Sequence, residues 1–314
     1  VSTRKGEAGP RVNLYDEVTQ RIITELEAGR FPWVQPWDSR VTGGPGLPMN
    51  ALTGRRYSGI NVLLLWGAAI GGAYPSQHWL TFKQALEAGG NVRKGEKGSL
   101  VVYANTITRT ETDPETGEEE DRDIPFMKAY SAFNVEQIEG LPAHYYAVAE
   151  PQLDPVERIE RAEAFFAATE ADIRHGGNQA YYAIGTDYVQ MPPFEAFKDA
   201  ESYYATLAHE VTHWTRHPSR LDRDFGRKRW GDEGYSREEL VAELGSAFLA
   251  ADLELTPEPR EDHAAYIASW LKVLKDDKRA IFTAAAHAQR AADFLHGLQP
   301  VIDEDDNDAG EAAA

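Results

Sequence analysis

The segment His209-Glu210-Val211-Thr212-His213 constrains this chain more than any other. On an α-helix, two histidines four residues apart differ by about 40° in rotation and lie one turn apart, with Cβ atoms roughly 6 Å from each other. On one helix face their imidazoles can share one metal ion. Glu210, rotated about 100° from His209, stands beside such an ion rather than on it. A divalent ion lowers the pKa of coordinated water towards 7, and Glu210 is placed to take the proton, which is the residue logic of zinc metallopeptidases. With 9 histidines in 314 residues, random placement produces the pattern in about one such chain in forty. Tyr204, Leu207, Ala208, Val211 and Trp214 flank it, so the helix reads as buried, and burying two histidines and a glutamate without partners is costly.

A zinc site of this kind needs a third protein ligand and an open position. The apolar stretch Arg237-Glu238-Glu239-Leu240-Val241-Ala242-Glu243-Leu244 supplies Glu239 and Glu243 on one helix face. Glu239 is the preferred ligand, and Glu243 would then hold the second nitrogen of one histidine; the reverse assignment is the alternative. Glu238 is expected to face solvent. His217 lies one turn beyond His213 but directly precedes Pro218, which ends the helix, so it reads as a loop residue. Tyr235, just ahead of the ligand helix, is a candidate donor to a developing oxyanion. The stretch Asp187–Met191 is a candidate strand edge for an extended peptide. Cysteine is absent, so the ligands are histidine and carboxylate, a set that favours Zn2+ with Mn2+ as the alternative.

The lack of cysteine also removes disulfides and fits a reducing cytoplasm. Residues 1–29 are polar and contain no signal-like apolar stretch. The longest apolar run, Ile60 to Tyr74, is interrupted by Asn61, Gly67, Gly71 and Gly72, so no membrane partner is expected. The net charge of −19 is unevenly spread: residues 1–110 carry +5, residues 111–126 carry −7 and the remainder −17. A basic N-terminal part fits nucleic acid, whereas an acidic C-terminal part repels it.

The pattern along the chain is α+β in two domains. Apolar spacing from Leu14 to Leu26 predicts a helix, the run 61–69 a buried helix, and 81–88 a short helix capped by Thr81. Ser99–Thr110 and Ile124–Phe133 read as strands joined by an acidic turn or insertion over 110–123. Gly140, Pro142, Pro151 and Pro155 mark a linker. Beyond it come a helix over 156–171, a strand–turn–strand over 181–191, and four helices near 200–217, 236–252, 260–277 and 279–297. The expected domains are therefore residues 11–140 and 153–298, the second mainly helical with a small sheet. Disordered tails are expected over 1–10 and 299–314.

Single-strand binding without sequence preference combines a basic groove with aromatic platforms for bases. In the N-terminal part, Trp33 and Trp37 flank prolines and are stacking candidates, Arg55-Arg56-Tyr57 is a compact basic-aromatic cluster, and Arg93, Lys94 and Lys97 lie in a glycine-rich loop suited to a phosphate backbone.

Six segments together carry a family resemblance: Tyr203 through His217, Ser219-Arg220-Leu221, Arg237 through Gly245, and the N-terminal Tyr15-Asp16-Glu17-Val18-Thr19, Pro36-Trp37 and Tyr57-Ser58-Gly59-Ile60-Asn61. The chain resembles the ArdC-type antirestriction proteins over nearly its whole length. The resemblance implies an N-terminal domain that binds single-stranded DNA and a C-terminal zincin-like metallopeptidase domain. It also implies a plasmid-borne role in protecting incoming conjugative DNA from host restriction, with a restriction enzyme or another protein substrate as a further partner. The alternative is an active zinc protease that cleaves a DNA-associated protein, the N-terminal domain serving only for targeting. A third reading is a passive DNA-coating module with a structural metal.

Overall fold

A computed structural model describes residues 13–33, 46–112, 119–146, 155–226, 232–255 and 263–300. In chain order the N-terminal part contains α1 (Leu14–Glu27), β1 (Met49–Asn50), α2 (Ile60–Gly72), β2 (His78–Thr81), α3 (Phe82–Glu87), β3 (Asn91–Val92), β4 (Ser99–Thr112), β5 (Glu119–Asn134) and β6 (Ile138–Glu139). The C-terminal part contains α4 (Pro155–Ala167), β7 (Asp172–His175), β8 (Tyr181–Ala183), β9 (Tyr188–Met191), α5 (Ala200–Trp214), α6 (Glu233–Asp252), α7 (His263–Asp276) and α8 (Ala280–Gly297). The fold is α+β, as the sequence pattern predicts. Trp37, the outer residues of both tails and residues 147–154 of the expected linker lie outside the described residues.

Local chemistry explains the N-terminal elements. Asn13 caps α1 by accepting from the Tyr15 N–H at 3.1 Å, and the helix buries Val18, Thr19, Ile22, Ile23 and Leu26. Helix α2 is apolar on nearly every face and is correspondingly buried. Thr81 and Gln84 form a capping box on α3. Strands run in the order β1-β2-β5-β4, with β1 parallel to β2 and the other pairs antiparallel.

Asn61 fastens α2 to this sheet. Its side-chain amide donates to the Val102 carbonyl, and its oxygen accepts from the Val102 N–H, both at 2.8 Å. Asn61→Ala leaves two partly buried backbone groups without these partners, and a loss of about 1–3 kcal/mol is expected in urea unfolding.

The acidic insertion is more ordered than its composition suggests. β4 and β5 stay in register from Ser99↔Ala132 out to Thr112↔Glu119, so a long two-stranded arm replaces most of the expected loop. Threonine is β-branched and favours strands, and its hydroxyls offset cross-strand acid: Thr108 donates to Asp123 and Thr110 to Asp121, each at 2.8 Å.

The principal core spans both parts of the chain. Val18, Ile22, Ile23, Leu26, Trp33 and Trp66 belong to the same buried cluster as Phe248, Trp270, Ile281 and Leu295. Trp33 packs edge-on against Trp270 at 5.8 Å, and Trp66 against Phe248 at 6.0 Å. Thr19 donates to the Lys278 carbonyl at 2.7 Å, and the Gly59 N–H to Gln289 at 3.1 Å. No helix among the described residues is long and apolar enough to cross a membrane.

The C-terminal sheet has the order β7-β9-β8. The expectation that Asp187–Met191 presents an edge is corrected here: β9 lies in the middle, between β7 and β8. The sequence reading omits β7, because four residues containing Asp172 and Arg174 show no apolar alternation.

Candidate metal centre

Helices α5 and α6 build the site. Asp199 caps α5 by accepting from the Ser202 N–H at 2.7 Å, and Asp232 caps α6 by accepting from the Tyr235 N–H at 2.8 Å. Thr212 faces Gly245 across the helix pair, and a Cβ at Gly245 would come within 2.5 Å of the Thr212 side chain. Only glycine allows the two helices to approach this closely beside the histidines.

His209, His213 and Glu239 are all buried, and their candidate ligand atoms lie within 4.8 Å of one another. The Nε2 atoms of His209 and His213 each stand 3.5 Å from an oxygen of Glu239. Their Nδ1 atoms turn to other carboxylates, His209 to Glu243 at 3.6 Å and His213 to Glu238 at 3.0 Å. Such carboxylates orient metal-binding imidazoles and fix their tautomer. The donor set fits a divalent ion: two imidazole nitrogens and one carboxylate converge, as in three-ligand zinc sites.

Glu238 is the main departure from the sequence expectation. It is buried rather than solvent-facing, because α6 is buried on nearly all faces and Arg223 supplies a counter-charge. The Arg223 and Glu238 side chains are 1 % and 2 % exposed and meet in a two-pronged contact, Nε–Oε2 and Nη2–Oε1, both at 2.8 Å. Arg223 also donates to the Thr212 carbonyl at 2.9 Å and to Thr215 Oγ1 at 3.1 Å, which ties it to the end of the histidine helix. The sequence gives no signal for this role: Asp222-Arg223-Asp224 reads as a solvated loop.

Electrostatics follow from this packing. Burial alone would raise Glu238, but hydrogen bonds from Arg223 and His213 outweigh it and hold the carboxyl at about 2. Burial likewise opposes ionisation of Glu239, yet His213 and His209 hold it well below the usual carboxylate range. Burial would lower His213, whereas Glu239 and Glu238 push it up to about 10. Protons on the imidazoles balance the carboxylates here; a divalent ion would supply positive charge to neutral imidazoles instead.

Glu210 is buried beside this cluster, and its side chain makes no hydrogen bond or ion pair among the described residues. Tyr235 lies one turn ahead of Glu239. Its hydroxyl is 3.0 Å from that of Tyr266 and also bonds Glu239; burial first, then the Glu239 charge, raises its pKa and keeps it a neutral donor. His217 pairs with Ser219 at 2.7 Å and stays outside the ligand group. Arg220 stacks on Trp214, 3.8 Å from the ring centroid, and pairs with Asp187, joining the end of α5 to the β8–β9 turn.

The DNA-binding candidates differ in exposure. Trp33 is only 3 % exposed and packs in the core, which corrects its reading as an open stacking platform. Arg55 and Arg56 are exposed just before α2, and Arg56 pairs with Asp252 at the end of α6. Tyr57 is buried; burial and neighbouring Tyr130 push it up to about 12. Arg93, Lys94 and Lys97 lie in the β3–β4 loop, where Arg93 pairs with Glu96 at 2.9 Å.

Comparison with known proteins agrees with both parts of the chain. The family described as the N-terminal domain of anti-restriction factor ArdC matches residues 12–133, and a zincin-like metallopeptidase family matches residues 160–287. Protein y4eC of Sinorhizobium fredii is 45% identical over 294 residues, covering 91% of this chain and 92% of its own. A DNA primase TraC of Escherichia coli is 41% identical over 302 residues; the match takes in 90% of this chain but only 27% of the primase. The metal-free crystal structure of antirestriction protein ArdC from plasmid R388 has a TM-score of 0.76 and 48% identity, covering 91% of this chain and 98% of that one. Its Mn(II)-bound structure has a TM-score of 0.75 and 45% identity, covering 93% and 100%. The chain belongs to the ArdC family of antirestriction proteins.

Proposed function

We propose that this protein binds single-stranded DNA through residues 11–140 and protects incoming conjugative or plasmid DNA from host restriction in the cytoplasm. Residues 153–298 then form a metal-dependent domain brought to that DNA. The observation that carries the reading is the near-full-length likeness to ArdC at 48% identity.

His209, His213 and Glu239 would hold Zn2+ or Mn2+. Such an ion, when bound, supplies Lewis acidity and favours hydroxide at neutral pH. Glu238 and Glu243 orient the imidazoles. Glu210, which has no partner among the described residues, is the group available to accept a proton in the site. Tyr235 can donate a hydrogen bond to developing negative charge.

The full chain should retard a single-stranded oligonucleotide at low salt, and its affinity should fall as salt rises, with a logarithmic slope of about −0.7 per phosphate contacted. No shift at low salt would overturn the reading. A second reading, proteolysis of a DNA-associated protein, is favoured by the carboxylate of Glu210, which has no partner among the described residues. It predicts that Glu210→Ala abolishes protection and leaves DNA affinity unchanged; protection retained by that variant would instead assign the metal a structural role.

A further inference from the structure

From Val101 to Arg109, the β4–β5 arm has two chemically opposite faces among residues whose side chains are described. Antiparallel register places Val101 opposite Tyr130, Tyr103 opposite Lys128, Asn105 opposite Phe126 and Ile107 opposite Ile124. Side chains alternate along a strand, so these positions share one face, and Arg109 extends it. The other face carries Thr106, Thr108 and Thr110 on one strand and Asp121 and Asp123 on the other. Both aspartates accept from threonine hydroxyls there. No acid occupies the first face among residues whose side chains are described.

The first face is aromatic and open. Tyr103 is 49% exposed, Tyr130 37% and Ile107 55%. The rings of Tyr103 and Phe126 lie 6.1 Å apart, and Lys128 Nζ sits 5.1 Å from the Phe126 centroid. The Asn105 amide donates to the Tyr103 hydroxyl at 2.6 Å, which helps to fix that ring. Beyond Val102 all residues of β4 with described side chains are exposed, so these aromatics contribute little to the body of the fold.

We propose that the face formed by Tyr103, Phe126 and Tyr130, with Lys128 and Arg109, is a stacking platform for the unpaired bases of single-stranded DNA. This assignment rests on the single-strand-binding reading above and gives it a location. Aromatic rings on a sheet stack bases, and nearby cations follow the phosphates. A duplex keeps its base faces inside the stack and cannot use such a surface. The carboxylates on the opposite face repel phosphate, so the strand is directed to one side of the arm. Tyr57 lies at the base of the platform beside Tyr130.

The test uses the full chain with a fluorescein-labelled dT20 strand at 50 mM NaCl, read by anisotropy. Tyr103→Ala, Phe126→Ala and Tyr130→Ala should each weaken binding by about 5- to 100-fold, while Phe126→Trp retains it. Lys128→Ala should reduce the salt slope by about 0.7. Thr108→Ala, on the opposite face, should stay within about twofold of wild type on the same stacking argument. Tyr103 and Tyr130 are exposed and Phe126 is half-buried, and unchanged melting temperatures of the variants would separate lost stacking from lost folding. Wild-type binding combined with undiminished affinity in all three alanine variants overturns the platform but spares the single-strand reading. Variants that change only the oligomeric state in gel filtration also overturn it, and assign the face to a second copy of this chain. Failure of the wild type to bind dT20 overturns both.

Discussion

Replacing His213 with alanine should eliminate metal binding, with the dissociation constant for Zn2+ or Mn2+ rising by more than about 100-fold in calorimetric titration. His213 presents Nε2 to the Glu239 side of the site and has Nδ1 gripped by Glu238. Its loss removes one of three converging candidate ligands and leaves Glu238 and Glu239 without the imidazole between them. The same titration separates the two candidate third ligands. Glu239→Gln should match the loss seen for His213→Ala, because Glu239 faces both Nε2 atoms. Glu243→Gln should cost only about 10- to 100-fold, the range for a residue that orients a ligand. The reverse ranking would make Glu243 the ligand.

Arg223→Met should produce the largest loss of stability among substitutions outside the ligand set. Removing one member of a buried ion pair leaves an uncompensated charge and costs about 3–5 kcal/mol. In a protein of this size that lowers the melting temperature by roughly 10 °C, measured calorimetrically after chelation of metal. Glu238 accounts for the pH dependence of this effect. Its folded pKa of about 2 lies below the ordinary value of 4.5. The associated stabilisation, on the order of 3 kcal/mol, is therefore complete above about pH 4.5 and disappears as pH falls towards 2. In Arg223→Met the depression weakens, and acid unfolding should begin at higher pH. The double variant Arg223→Met/Glu238→Gln should recover part of the loss, since it removes the stranded charge along with its partner. A single variant as stable as wild type would show that solvent compensates Glu238.

Much of the site is legible in the sequence because its logic is local. The His209–His213 spacing, the apolar flanks and the carboxylate-bearing helix all follow from one period, 3.6 residues per turn. Thr81 is recognisable as a cap for the same reason. Features that depend on distant partners are not legible. Glu238 resembles any charged residue in the run Arg237-Glu238-Glu239, and only the return of the chain at Arg223 makes it internal. Trp33 sits between prolines in a manner that suggests an open loop, yet Trp270, more than two hundred residues later, covers it. The inner part of the β4–β5 arm is legible as two strands; its outer part is hidden by its acidity, since composition alone does not reveal that Thr108 and Thr110 stand opposite Asp123 and Asp121.

The core shared by Trp33, Trp66, Phe248 and Trp270 has a consequence for inheritance. A recombination that carried only one half of this gene would deliver a polypeptide with a torn apolar surface, prone to aggregate. The TraC primases accord with this: they match some nine-tenths of this chain, both halves together, within proteins several times longer.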